Sequence, residues 1–270
     1  MNFVANARMY AVAPEAEDAW RKLIAHVADE AGVALDYIPY PAPQPLETLW
    51  ARPDLGCVQM CGYPIALHIA DVVPIAAPIP RADWARGQAV YRSDLIVRAD
   101  APFRTIADTF GGRLGWTVAH SHSGFNALRH HLLQHRTPAR STLYRDVRKN
   151  LITARAILDA VRDGSIDVGP LDAYWHMLIR RWRPGIAAGV RVLESTRTAP
   201  MPAFVAAPII PAADVDALRT AFAAAASRPW FTPFRDSLLI EGFAPVSHET
   251  FAQTLAWHDE ALAAGYPEPA

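Results

Sequence analysis

Two hydroxyls and a glycine stand together in Ser121-His122-Ser123-Gly124-Phe125-Asn126. A short apolar run, Leu114 to Val118, precedes them, and helical spacing follows at Phe125, Leu128 and Leu132. A strand that ends in small hydroxylic residues and then turns into a helix is an anion cradle. The first N–H groups of the helix lack internal partners, and the helix dipole adds partial positive charge there. The plainer reading of the same residues is an ordinary cap, with Ser123 closing the helix start.

A second junction of this kind is Cys61-Gly62-Tyr63-Pro64, after the apolar run Leu55 to Cys61. A third strand end leads into Pro170-Leu171-Asp172-Ala173-Tyr174. His120, His122, His130, His131 and His135 crowd the first region, and clustered imidazoles suggest a metal. No carboxylate accompanies them until Asp146, so they are expected to be helix-surface residues, with His122 the one placed at an anion. His131 and His135 share a helix face, and His130 points elsewhere. No metal or cofactor is expected. Cys57 and Cys61, about 13 Å apart in an extended run, are too distant to bridge and read as buried thiols. Trp84, Tyr91, Trp116 and Trp175 read as core. A Ser next to His122 imitates a catalytic pair, yet no Gly-x-Ser-x-Gly, His-Glu-x-x-His or Gly-x-Gly-x-x-Gly motif is present.

The elements that must position these residues alternate between strand and helix. Arg8 to Val12, Val33 to Ile38, Leu55 to Cys61, Val72 to Ile79, Gln88 to Arg98, Leu114 to Val118, Ile166 to Gly169, Val190 to Leu193 and Met201 to Ala207 read as strands. Helical spacing marks Glu15 to Ala31, stopped by Gly32, then Ile65 to Ala70, Phe103 to Phe110, Leu151 to Arg162, Val215 to Ala226 and Glu249 to Ala264. Such alternation argues for an α/β protein with largely parallel sheets. Ligands of open α/β sheets bind beyond the carboxyl ends of strands, where all three candidate clusters lie.

The 270 residues carry 26 basic and 27 acidic side chains, a net charge of −1. No global field therefore favours nucleic acid or an anionic membrane, and any anion site must be local. No apolar run reaches the length of a membrane span, so no membrane insertion is expected. The first residues lack a secretory leader, which, with the start as written, points to the cytoplasm.

At this point a resemblance enters. The chain resembles the substrate-binding proteins of phosphate, phosphite and phosphonate ABC transporters, the phosphonate-binding type of the periplasmic-binding-protein type II superfamily. The likeness rests on Asp54-Leu55-Gly56 through Cys61-Gly62-Tyr63-Pro64, on Val90 to Val97, and on Ser121 to Asn126. It continues in Ala160-Val161 through Gly164, Asp167-Val168-Gly169 and Asp172, and in Leu239 to Val246. It implies a two-lobed α/β fold closing on a small oxyanion. Each lobe would be a mixed, mostly parallel sheet flanked by helices, and two crossing strands would join them. Lobe one would hold 1–92 plus 200–270, and lobe two 93–199. The family's Ser-x-Ser-Gly motif falls on Ser121, Ser123 and Gly124. The two hydroxyls and the N–H groups of Gly124, Phe125 and Asn126 can share a tetrahedral oxyanion there. Tyr10, Gly62 and Tyr63 would supply the opposite wall, and Asp172 and Tyr174 would read a donor on the ligand. The implied partner is a membrane permease, the location periplasmic, and the state a monomer or weak dimer. One departure is Ile152-Thr153-Ala154, where relatives commonly carry Gly-Ser-His. Cytoplasmic enzymes and sensory binding proteins of the same fold are the alternatives.

Overall fold

A computed structural model describes residues 2–270. The chain opens with β1 (Phe3–Asn6), a 3-10 turn (Arg8–Tyr10), α1 (Pro14–Ala31) and β2 (Leu35–Tyr37). Proline in the first turn and Gly32 in the left-handed region (φ 66°) set the limits of α1. Its buried face is Ala16, Ala19, Trp20, Leu23, Ile24, Val27 and Ala28, the apolar stripe of the sequence. Next come α2 (Leu46–Trp50), β3 (Leu55–Met60), α3 (Gly62–Ala66), β4 (Val73–Pro80) and β5 (Val90–Tyr91).

The middle of the chain carries β6 (Ser93–Arg98), β7 (Arg113–Gly115), a π-helical turn (His122–Asn126) that runs into α4 (Ala127–Leu132), and β8 (Asp146–Arg148). It continues with α5 (Ala154–Arg162), β9 (Gly169–Asp172), α6 (Ala173–Trp182), α7 (Pro184–Ala187) and β10 (Val190–Ser195). Helix α5 starts later than the spacing suggests, because Asn150 and Ile152 both adopt positive φ (58°). Thr153 then caps it, its Oγ1 accepting the Ala156 N–H at 3.1 Å. The chain ends with β11 (Ala199–Pro200), β12 (Ala203–Ala206), α8 (Ala212–Ala224), α9 (Thr232–Ser237), β13 (Ile240–Pro245) and α10 (Ala252–Ala263).

Two compact units result. Residues 1–91 and 200–252 form the first, and residues 92–199 and 253–270 the second. The first is built on a six-stranded sheet of order β13-β4-β12-β3-β1-β2. β1 pairs in parallel with β2 and β3, while β12 and β13 pair antiparallel with their neighbours. The sheet is mixed, as expected, but less parallel than the alternation suggested. Parallel neighbours need a crossover such as α1, whereas β12 re-enters the sheet from the other unit without one. Trp20 meets Phe204 edge-on at 5.8 Å, and Phe204 stacks on Phe222 at 5.1 Å.

In the second unit β6 is flanked antiparallel by β10 and β9, and β7 pairs in parallel with β8. Its core gathers Leu95, Val97, Leu114, Trp116, Phe125 and Leu128. The tail differs from expectation, since Gln253–Ala270 belongs to this unit and not to the first. The reason is a set of long-range contacts. Asn126 Nδ2 donates to the Thr254 carbonyl at 2.8 Å, Arg129 Nη1 to the Pro267 carbonyl at 2.8 Å, and Trp257 stacks on His130 at 4.7 Å.

Candidate functional site

Beyond β7, Trp116 and Thr117 lead to Ser121, whose extended backbone sits just before the π-helical turn. Ser121, not Ser123, is the cap: its Oγ accepts the Gly124 N–H at 3.0 Å. The helical ladder begins with the Asn126 N–H donating to the Ser121 carbonyl at 3.0 Å, an i to i+5 bond. Two of the three N–H groups expected to face an anion, those of Gly124 and Asn126, therefore have internal acceptors. The N–H groups of Ser123 and Phe125 precede the ladder. Gly124 has no room for a side chain, because a Cβ would fall 1.9 Å from Thr117 Oγ1.

That threonine was not singled out from the sequence. Thr117 Oγ1 is buried without a hydrogen-bond partner. Its only sequence signal is a hydroxyl just past a strand end, close before two serines. Ser93 was missed as well. Its Oγ donates to the Ser123 carbonyl at 2.8 Å and ties the turn to β6. Ser93 is also the register partner of Asp172 across β6 and β9, so Ser123 and Asp172 are brought to one place. Asp172 Oδ1 caps α6, accepting the N–H groups of Tyr174 at 2.9 Å and Trp175 at 3.0 Å. Tyr174 is fully buried, and burial followed by the nearby Asp172 charge pushes its phenol well above the usual range. One helical turn further on, His176 Nδ1 lies 2.9 Å from Asp94 Oδ2, and Ser195 Oγ donates to Asp94 Oδ1 at 2.8 Å.

Two side chains of the turn face inward. His122 is 2 % exposed and stacks on Trp257 at 5.3 Å. Asn126 Nδ2 lies 3.3 Å from His122 Nδ1. Burial, with a smaller contribution from His130, lowers the imidazole to about 3. It is a neutral packing group, and an anion would meet His122 only through its backbone. Phe125 packs edge-on against Trp116 at 4.9 Å, so it too offers only its N–H. Tyr91, Trp116 and Trp175 are buried as core, as the sequence suggested, and Cys57 and Cys61 are buried and not joined in a disulfide.

In the first unit, Tyr10 and Gly62-Tyr63 follow the carboxyl ends of the paired strands β1 and β3. Both tyrosines are buried, at 1 % and 2 % exposure. Gly62 is required by packing, since a Cβ there would lie 2.3 Å from Phe251 Cδ1. Gln59, another residue missed from sequence, is buried near the end of β3 with neither side-chain amide atom partnered.

Residues 11–251 match the family model of the phosphonate ABC transporter periplasmic substrate-binding protein. The chain belongs to this family. It is accordingly a substrate-binding protein with the type II periplasmic-binding-protein fold, and not an enzyme. No curated protein sequence matches it. A binding protein component of an ABC phosphonate transporter from Pseudomonas aeruginosa (PA3383) shares 13 % identity at a TM-score of 0.80. That match covers 98 % of this chain and 88 % of the other. PhnD1 from Prochlorococcus marinus, solved with methylphosphonate, gives 12 % identity and a TM-score of 0.78 over 96 % and 97 % of the two chains. XAC2383 from Xanthomonas citri, solved with ATP, gives 17 % and 0.66 over 97 % and 98 %.

As a phosphonate-type binding protein, the chain has a small ligand and a permease as its class of partners, and its family is periplasmic. Among the described residues no helix is long and apolar enough to cross a membrane. Ahead of α5, at the departure noted from the sequence, stand the strained, exposed Ile152 and the capping Thr153.

Proposed function

We propose that the second unit holds a small tetrahedral oxyanion, a phosphate or phosphonate, at the turn Ser121–Asn126. One observation carries this reading. The Thr117 hydroxyl is buried and unpartnered against Gly124, in the same short stretch as the Ser123 hydroxyl and the Ser123 and Phe125 N–H groups, which precede the first bond of the helical ladder. An unpaired buried hydroxyl costs about 1–3 kcal/mol, which a ligand oxygen would offset. Helix-start donors can neutralise an anion without a full counter-charge, in keeping with a chain of net charge −1.

The Ser121 hydroxyl, although it accepts from Gly124, keeps its own proton to donate. Asp172, whose Oδ1 caps α6, is the candidate group to read a donor on the ligand, an amine or a protonated phosphoryl oxygen. For the first unit the candidate contacts are Tyr10, Gly62 and Tyr63. The protein would deliver its ligand to an ABC permease from the periplasm.

Calorimetry with inorganic phosphate and methylphosphonate tests this. The Ser123→Ala variant is expected to lose about 1–3 kcal/mol of affinity for whichever anion binds. Unchanged affinity in that variant would remove the turn from the binding site.

A further inference from the structure

The far end of the same helical stretch carries a second cluster. His131, on α4, and His135, closing the 3-10 turn that follows, lie one helical turn apart. Glu194 reaches them from β10. One ligand atom from each of the three residues lies within 4.8 Å of the others. His131 Nε2 is already hydrogen-bonded to Glu194 Oε1. His135 Nε2 is buried with no hydrogen-bond partner.

Glu194 owes its aim to a bulge. The pairing of β10 with β6 slips between Val192 and Glu194, so that Val192 faces Ile96 and Glu194 faces Leu95. Such an extra residue re-aims the side chain that follows it and is over-represented beside functional sites. The helix end adds a favourable field, since its last carbonyls carry partial negative charge and attract a cation. Access is available as well, because the Glu194 side chain is 34 % exposed while His131 is only 12 % exposed.

The geometry points to a binding site for one borderline divalent transition-metal ion, of the Zn2+ class, held by His131, His135 and Glu194. Two imidazoles and a carboxylate are the donor set such ions prefer, with a fourth position left to water. A tetrahedral ion separates its ligand atoms by about 3.3 Å, so no gap need close by more than roughly 1.5 Å, within the reach of side-chain rotation. The ion would pin the end of the helix to β10. It would sit about 12–18 Å along the helical stretch from Ser123 and take no part in the oxyanion contacts.

The test is titration of tag-free, chelator-treated protein with Zn2+ by calorimetry and with Co2+ by visible absorption. One ion per chain is expected, with the intense absorption of tetrahedral Co2+. Glu194→Gln and His135→Gln should each weaken Zn2+ binding at least tenfold while the circular dichroism spectrum stays that of the parent. His68→Gln, at the stacked His68–His248 pair of the first unit, should leave binding unchanged. No stoichiometric binding to the parent protein would overturn the proposal. So would binding that survives both cluster variants, or that is lost with His68→Gln.

Discussion

Two strand-to-helix junctions, one in each unit, look alike in sequence and are built for different ends. At Ser121–Asn126 the glycine makes room for a hydroxyl: Gly124 faces Thr117 Oγ1, and donors remain ahead of the ladder. At Cys61–Pro64 the glycine makes room for a ring, with Gly62 against Phe251, and Pro64 contributes no N–H at all. The first junction keeps polar capacity in reserve, and the second spends its space on packing. A glycine at a helix start is thus an ambiguous sign until its neighbour across space is known.

Substituting the two glycines should separate these roles most sharply. Gly124→Ala forces a methyl onto Thr117 and is expected to cost about 2–3 kcal/mol of oxyanion affinity by calorimetry. Gly62→Ala should instead lower thermal stability by about 1–3 kcal/mol, and adding Phe251→Leu should recover part of that loss. Equal affinity losses for the two alanines would erase the distinction between the junctions.

A subtler probe is Thr117→Val, which keeps the shape and deletes the hydroxyl. Without ligand, denaturant unfolding should show unchanged or higher stability, by up to about 1 kcal/mol, because an unmatched polar group has gone. Oxyanion affinity should fall about tenfold. A clear loss of ligand-free stability would mean that the hydroxyl has no such reserve.

The neutral state of His122 gives a pH prediction with a definite sign. Its folded value, about 3, lies below that of the unfolded chain, near 6.5. The stability it contributes is complete above about pH 6.5 and is lost as the pH falls toward 3, where the unfolded chain alone takes the proton. In His122→Gln, the lead of the parent protein should therefore shrink between pH 7 and pH 4, by up to about 1.4 kcal/mol per pH unit. Parallel stability curves would show that the imidazole is charged when folded.

The smallest effect is expected at α6. Asp172→Asn retains a capping oxygen and should change thermal stability by only a few tenths of a kcal/mol, whereas Asp172→Ala should cost about 1 kcal/mol. The asparagine variant should still alter preference between amine-bearing and plain phosphonates.

What the sequence made legible was local. The stripe on α1, the buried cysteines and the strand-to-helix turn at Ser121 follow from spacing and residue type within a short window. The capping role moved from Ser123 to Ser121 because the helical turn already begins at His122, two residues earlier than a Ser123 cap requires. What stayed hidden depends on partners far along the chain. His122 reads as an anion contact until Trp257 is found against it, and the histidines 131 and 135 lack a carboxylate until the bulge at β10 delivers Glu194. The tail's placement likewise rests on Asn126 and Arg129 reaching Thr254 and Pro267.

The central claim is that N–H groups at the start of one helical turn hold the oxyanion, and amide nuclear magnetic resonance reads them directly. Titrating 15N-labelled protein with methylphosphonate and with inorganic phosphate should shift the Ser123 and Phe125 amide protons downfield, as expected for new hydrogen bonds to an anionic oxygen. The Gly62 amide would serve as the comparison in the other junction. Saturation by either anion with the Ser123 and Phe125 amides unmoved would contradict the account.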